Sequence, residues 1–109
     1  MRGYASPKKG LEDEAQQALD QLSAWDAATR RFGLQTLGLL GPAAFEQLPD
    51  MLRLLEDEDL EVRRAAANAV GRVGGGAPEL GRALKDPEAP VRCEAAVALG
   101  RLGAQARVA

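Results

Sequence analysis

The sequence predicts an all-α protein, an α-solenoid of about three helix pairs stacked side by side. Three observations predict it. One block of residues recurs along the chain. Each copy divides into two stretches with helical spacing of apolar residues. The chain is 46% hydrophobic but only 4% aromatic, so its core must be built from Ala, Leu and Val. Small side chains bury little area each, and elements that carry them must approach closely, which suits helices packed on helices.

The repeat is clearest in the second half. The stretch from Leu48 to Gly74 returns 29 residues later, with twelve of 27 positions identical. The alignment sets Pro49 on Pro78, Arg53 on Arg82, Asp57 on Asp86 and Arg63 on Arg92, which alanine-rich composition alone would not do. A weaker copy lies 33 residues upstream, where Arg30 to Gly41 matches Arg63 to Gly74. Both arginines and both glycines hold there. The spacings differ by four residues, about one helical turn. The deletion falls between Gly74 and Ala77, so the third unit should have a shortened first helix.

Taken in order, residues 1–10 carry Arg2, Lys8 and Lys9 with Gly and Pro and no periodicity. They read as a flexible leader, or as a basic arm that touches a partner. The repeat domain covers residues 11–109, with units at about 11–41, 42–74 and 75–103, and with 104–109 opening a fourth. In unit two, the first helix spans roughly Ala43 to Glu56 with apolar Phe45, Leu48, Leu52 and Leu55. Pro49 places its regular part from about Leu48. Asp59 is the N-cap of the second helix, and Asp26 holds the equivalent place in unit one. That second helix runs from about Leu60 to Val73, with Val62, Ala66, Ala69, Val70 and Val73 facing the core. Gly41, Gly74 and Gly103 supply the residue that ends it. Gly38, Gly71 and Gly100 lie three residues earlier, inside the helix. Glycine there costs about 1 kcal/mol against alanine. A neighbouring helix crossing too close for a side chain explains all three.

The chain bounds its chemistry mostly by what it lacks. It has no histidine, hence no Ser-His-Asp triad, no Cys-His pair and no His-rich metal site. Gly74-Gly75-Gly76 lacks the Lys-Ser or Lys-Thr of a phosphate loop. The acidic run Glu56 to Asp59 belongs to an exposed turn. No catalytic residue, metal ligand or cofactor site is predicted. Net charge is −2, with 14 basic and 16 acidic residues mixed, which argues against nucleic acid. No run of about 18 apolar residues and no signal peptide is present, so a cytoplasmic protein without a membrane role is expected. Cys93 is the single cysteine and reads as a buried or inert thiol. Trp25 is expected to anchor the turn of unit one or to cap the stack.

These residues resemble HEAT repeats, in particular the short HEAT-like class named after the phycobilisome lyases. The resemblance rests on Leu55-x-Asp57, Val62-Arg63, Ala66-Ala67-x-Ala69-Val70-Gly71 and Val73-Gly74, and on their copies from Leu84 to Gly103. It implies an armadillo-like superhelix with first (A) helices on the convex side and second (B) helices on the concave side. It also implies a structural ladder in which Asp57 and Asp86 pair with Arg63 and Arg92, in their own or the neighbouring unit. Ala24 stands where the Asp of unit one belongs, so the ladder should be broken or replaced there.

On that arrangement the concave face presents Arg31, Phe32, Gln35, Arg64, Asn68, Arg72, Cys93, Glu94, Val97 and Arg101. These positions vary between units while the core is held. An invariant frame with a variable concave face suits a non-catalytic scaffold or adaptor for a protein partner. The repeat subtype implies an alternative, an accessory subunit of a bilin lyase or similar maturation factor. The concave arginines admit a third reading, a nucleic-acid-binding domain, against the near-neutral charge. The apolar flank of the third unit further predicts a longer array or self-association through the C-terminal end.

Overall fold

The computed structural model describes residues 7–108, and among them the chain is helical with no strand. Six α-helices run in order: α1 Pro7–Gln21, α2 Ala27–Leu40, α3 Leu48–Arg53, α4 Leu60–Val73, α5 Ala77–Ala83 and α6 Ala89–Val108. They form two layers. α2, α4 and α6 lie side by side, with α4 packed between the other two. α1, the segment around α3, and α5 cover one face of that row. The result is a slab of 54 × 38 × 16 Å.

Residues 1–6, most of the expected leader, lie outside the described residues. Pro7 to Gly10 do not belong to a leader, because α1 already starts at Pro7. Proline fits a first helical turn, where no amide donor is needed.

Capping residues set the B helices. The Asp26 carboxylate accepts from the Thr29 amide at 2.9 Å. The Asp59 carboxylate accepts from the amides of Glu61 at 2.8 Å and Val62 at 3.1 Å. Gly74 closes α4 in the left-handed conformation at φ 106°, and its amide donates to the Val70 carbonyl. Gly41 closes α2 at φ 62°. Gly103 does not close α6, which runs on through residues 104–108 as one helix. Units one and two follow their glycine with Pro42 or with Gly75-Gly76. Ala104-Gln105-Ala106-Arg107 contains no such breaker and continues the helix. Residues 104–108 therefore extend α6 and do not open a separate helix.

The A segment of unit two is broken more than the sequence suggests. Residues Gly41–Gln47 and Leu54–Glu56 are 3₁₀ turns on either side of α3, and Ala44 leaves helical geometry at φ −97°, ψ 18°. The kink turns the face. Leu48 and Leu55 are buried and Leu52 is partly so, as expected, but Phe45 is 56% exposed. Ala44 and Met51 take the core positions. α5 is seven residues long against six for α3, so the deletion removes the flanking 3₁₀ turns of unit two and does not shorten the α-helix itself. In α4 the expected core residues Val62, Ala66, Ala69, Val70 and Val73 are buried. Ala67 and Gly71 are buried as well.

Candidate partner-binding face

Two ladders hold the B helices in register. The first is ionic. Arg30 on α2 donates from Nε and Nη2 to both carboxylate oxygens of Asp57, at 2.9 and 3.1 Å. Its Nη1 donates to the carbonyls of Ala24 and Trp25 in its own turn. Arg63 on α4 repeats this with Asp86, at 2.9 and 3.4 Å, and with the carbonyls of Asp57 and Glu58. Both pairs are nearly buried, with side chains 8–14% exposed. Each aspartate also shapes its own turn, accepting from the amide two residues on. The pairing therefore runs from one unit to the next. Arg30 therefore has the carboxylate of Asp57 from the next unit, although Ala24 stands where the Asp of its own unit belongs. Of the ladder arginines Arg30, Arg63 and Arg92, the one without a carboxylate partner among the described residues is Arg92, which donates to the Asp86 carbonyl.

The second ladder is one of close approach. A Cβ on Gly38 would sit 3.2 Å from Ala69 Cα, and one on Gly71 would sit 2.6 Å from Ala98 Cβ. The glycine of each unit faces the alanine of the next, so helices meet backbone to backbone. At Gly100 a Cβ would meet nothing within 4 Å.

This close row exposes one face made by α2, α4 and α6. Arg31, Gln35, Glu61, Arg64, Ala65, Asn68 and Glu94 line a shallow groove there of about 370 Å³. A polar chain crosses it. Arg72 Nε donates to Asn68 Oδ1 at 3.0 Å, and Asn68 Nδ2 donates to Glu94 Oε1 at 3.3 Å. Arg64 lies 3.8 Å from Glu94 and 3.5 Å from Glu61. A second groove, of about 450 Å³, runs along the C-terminal ends of the same helices between Leu39, Arg72 and Arg101.

The helices thus form pairs in a two-layer stack, joined between units by an Asp–Arg ladder. A profile of HEAT repeats matches residues 15–79, more than half of the chain. The chain belongs to the HEAT-repeat family. Curated proteins compared with it give no match. In HEAT terms α2, α4 and α6 are the B helices, and the grooves lie on the B face.

The HEAT frame brings together Arg31, Gln35, Arg64, Asn68 and Glu94 in one groove, and Arg72 with Arg101 in the other. Phe32 is exposed but faces α1, lining a separate cleft with Glu14, Gln17 and Gln21. Val97 is half exposed and lines none of these grooves. Cys93 is exposed, not buried, because it holds on α6 the position of Arg64 on α4, which faces the open B face. The Trp25 side chain is 91% exposed, so its carbonyl and not its indole ties the turn. Glu61 is a groove residue that sequence reasoning missed. Its spacing of three from Arg64 on one helix was the available signal. Asp26 is held below its ordinary value of 3.8 by the Thr29 hydroxyl and then the Thr29 amide. Among the described residues no group of three or more His, Cys, Asp and Glu is placed to hold a metal. No described helix is long and apolar enough to cross a membrane.

Proposed function

We propose that this HEAT-repeat chain is a binding scaffold whose B face receives an acidic, extended protein segment. One observation carries the reading. Side chains from three successive B helices line continuous grooves, and their guanidinium groups outnumber their carboxylates. Arg31, Arg64, Arg72 and Arg101 stand there against Glu61 and Glu94. The whole chain has net charge −2, so this face is positive against a negative remainder. Both carboxylates are within reach of Arg64. Arg31 and Arg101 have no ion pair among the described residues, which leaves their forks for a partner's carboxylates. Leu39, 82% exposed between Arg72 and Arg101, adds an apolar contact. Arginine beside apolar surface is a favoured interface anchor.

The test is a capture experiment from the source cell, followed by direct titration of the captured protein. Arg31→Glu with Arg101→Glu should abolish capture. Arg53→Glu, on the opposite layer, should leave it intact. Capture that survives the double reversal removes the B face from the reading. Displacement of the partner by duplex DNA, with steep salt dependence, would instead favour nucleic acid.

A further inference from the structure

On the B-face reading, we infer that Glu94 is a built-in competitor at the centre of the site. Its carboxylate holds the place where a carboxylate of the partner binds Arg64 and Asn68, and the partner displaces it. Arg31 on α2 and Arg101 on α6 carry no ion pair among the described residues. Arg64, on α4 between them, is served by carboxylates of the chain itself.

Three observations single out Glu94. Its contact with Arg64 is loose. Glu94 Oε2 lies 3.8 Å from Arg64 Nε, and the two side chains are 25% and 48% exposed. The ladder pairs close to 2.9 Å and are nearly buried. Breaking a ladder pair strands a charge out of water, whereas Glu94 can leave Arg64 at little cost. The frame does not need this acid either. Phe32 on α2 and Ala65 on α4 hold the same column, so a B helix takes its place in the stack without a carboxylate there. Finally, the donors around Glu94 are aligned on it. Arg72 Nε donates to Asn68 Oδ1 at 3.0 Å, which turns the Asn68 amide nitrogen towards Glu94 Oε1 at 3.3 Å. One carboxylate oxygen thus faces an amide and the other a guanidinium. An incoming carboxylate fits that pair of donors in the same way, one oxygen to each.

This arrangement sets a preference. A lone carboxylate gains nothing at Arg64, because it replaces an equivalent group that is tethered beside the guanidinium at high effective concentration. A segment anchored by further acids at Arg31 and Arg101 is tethered in its turn and competes with Glu94 on equal terms. Glu94 therefore selects segments with several acids against single carboxylates. It also keeps Asn68 and Arg72 oriented in the free chain.

The probe for the test is a dye-labelled polyglutamate peptide, titrated against the full chain by fluorescence anisotropy at low salt. Glu94→Ala gives α6 the residue that α4 has in this column. It should tighten binding by up to about fivefold, the range of an exposed ion pair. The gain disappears when Arg64→Gln is added. Glu46→Ala, which removes an exposed acid of the other layer, gives less than that gain. The side-chain amide of Asn68 supplies a second readout by NMR. It shifts in Glu94→Ala and moves back towards its original position as polyglutamate saturates the face. No tightening in Glu94→Ala, a gain that persists with Arg64→Gln, or an equal gain in Glu46→Ala overturns the proposal. An Asn68 amide that ignores the probe does the same. Arg31→Glu with Arg101→Glu tells the two levels apart. If that double reversal leaves polyglutamate binding unchanged, the B-face reading fails and the role of Glu94 with it. If it abolishes binding while Glu94→Ala changes nothing, the face stands and only the competitor is removed.

Discussion

α4 and α6 carry nearly the same residues and live in different surroundings. α4 is packed on both flanks, and α6 on one. Arg63, Ala67 and Gly71 are enclosed, while Arg92, Ala96 and Gly100 meet solvent. The difference shows that these residues do not stabilise a helix by themselves. A glycine inside a helix is a loss until a neighbour closes on it. An arginine at the start of a helix is ordinary surface until a carboxylate from the next turn reaches it. The same sequence element is enclosed structure in α4 and open surface on α6.

Removing a carboxylate from an enclosed junction breaks the comparison most sharply. Asp57→Ala leaves Arg30, whose side chain is 11% exposed, without its ion-pair partner, and also releases the Asp59 amide. A buried charge that loses its partner destabilises by about 3–5 kcal/mol. Arg92→Ala, at the open flank, should change stability by less than about 0.5 kcal/mol. Urea unfolding of both variants measures the contrast. Equal losses would mean that the pairs contribute no more than exposed charges do.

The two glycines give a contrast of opposite signs. Gly71→Ala places a methyl 2.6 Å from Ala98 Cβ and 2.9 Å from its Cα, so α4 and α6 must separate. Overpacking of this kind costs about 1–3 kcal/mol. Gly100→Ala meets nothing and should stabilise α6 by up to about 1 kcal/mol through helix propensity. Thermal midpoints should therefore move in opposite directions. A loss at Gly100 would show that α6 is covered in solution on this flank.

What the sequence disclosed follows the same division. The bounds of α4 were legible because Asp59 and Gly74 are local signals that act within one helix. The kink at Ala44 was not, because it depends on how a proline-bearing segment settles on α4. The direction of the ionic ladder was also hidden. Asp57 is close in sequence to Arg63, yet Arg63 uses its Nη1 for the Asp57 carbonyl and its other edge for Asp86. Only the stacking of units decides which edge meets which group. On the B face, Arg31 with Arg64 and Gln35 with Asn68 were found because their columns repeat at 33 residues. Phe32 failed to join them because it lines a separate cleft with α1, the first helix of its own unit.

The smallest effect concerns the cap of α2 in acid. Asp26 accepts from the Thr29 hydroxyl at 2.7 Å as well as from its amide. These bonds favour the carboxylate, so its pKa in the folded chain lies below the ordinary 3.8. A lowered folded pKa means that the unfolded chain binds the proton more readily. The cap then contributes its full stabilisation above the ordinary value, and loses it as pH falls through the folded value. Asp26→Asn keeps a good capping side chain but cannot titrate. Unfolding midpoints of the two proteins should run parallel at neutral pH and converge below about pH 4. Parallel curves down to the acid limit would show that Asp26 is no better held in the folded chain than in the unfolded one.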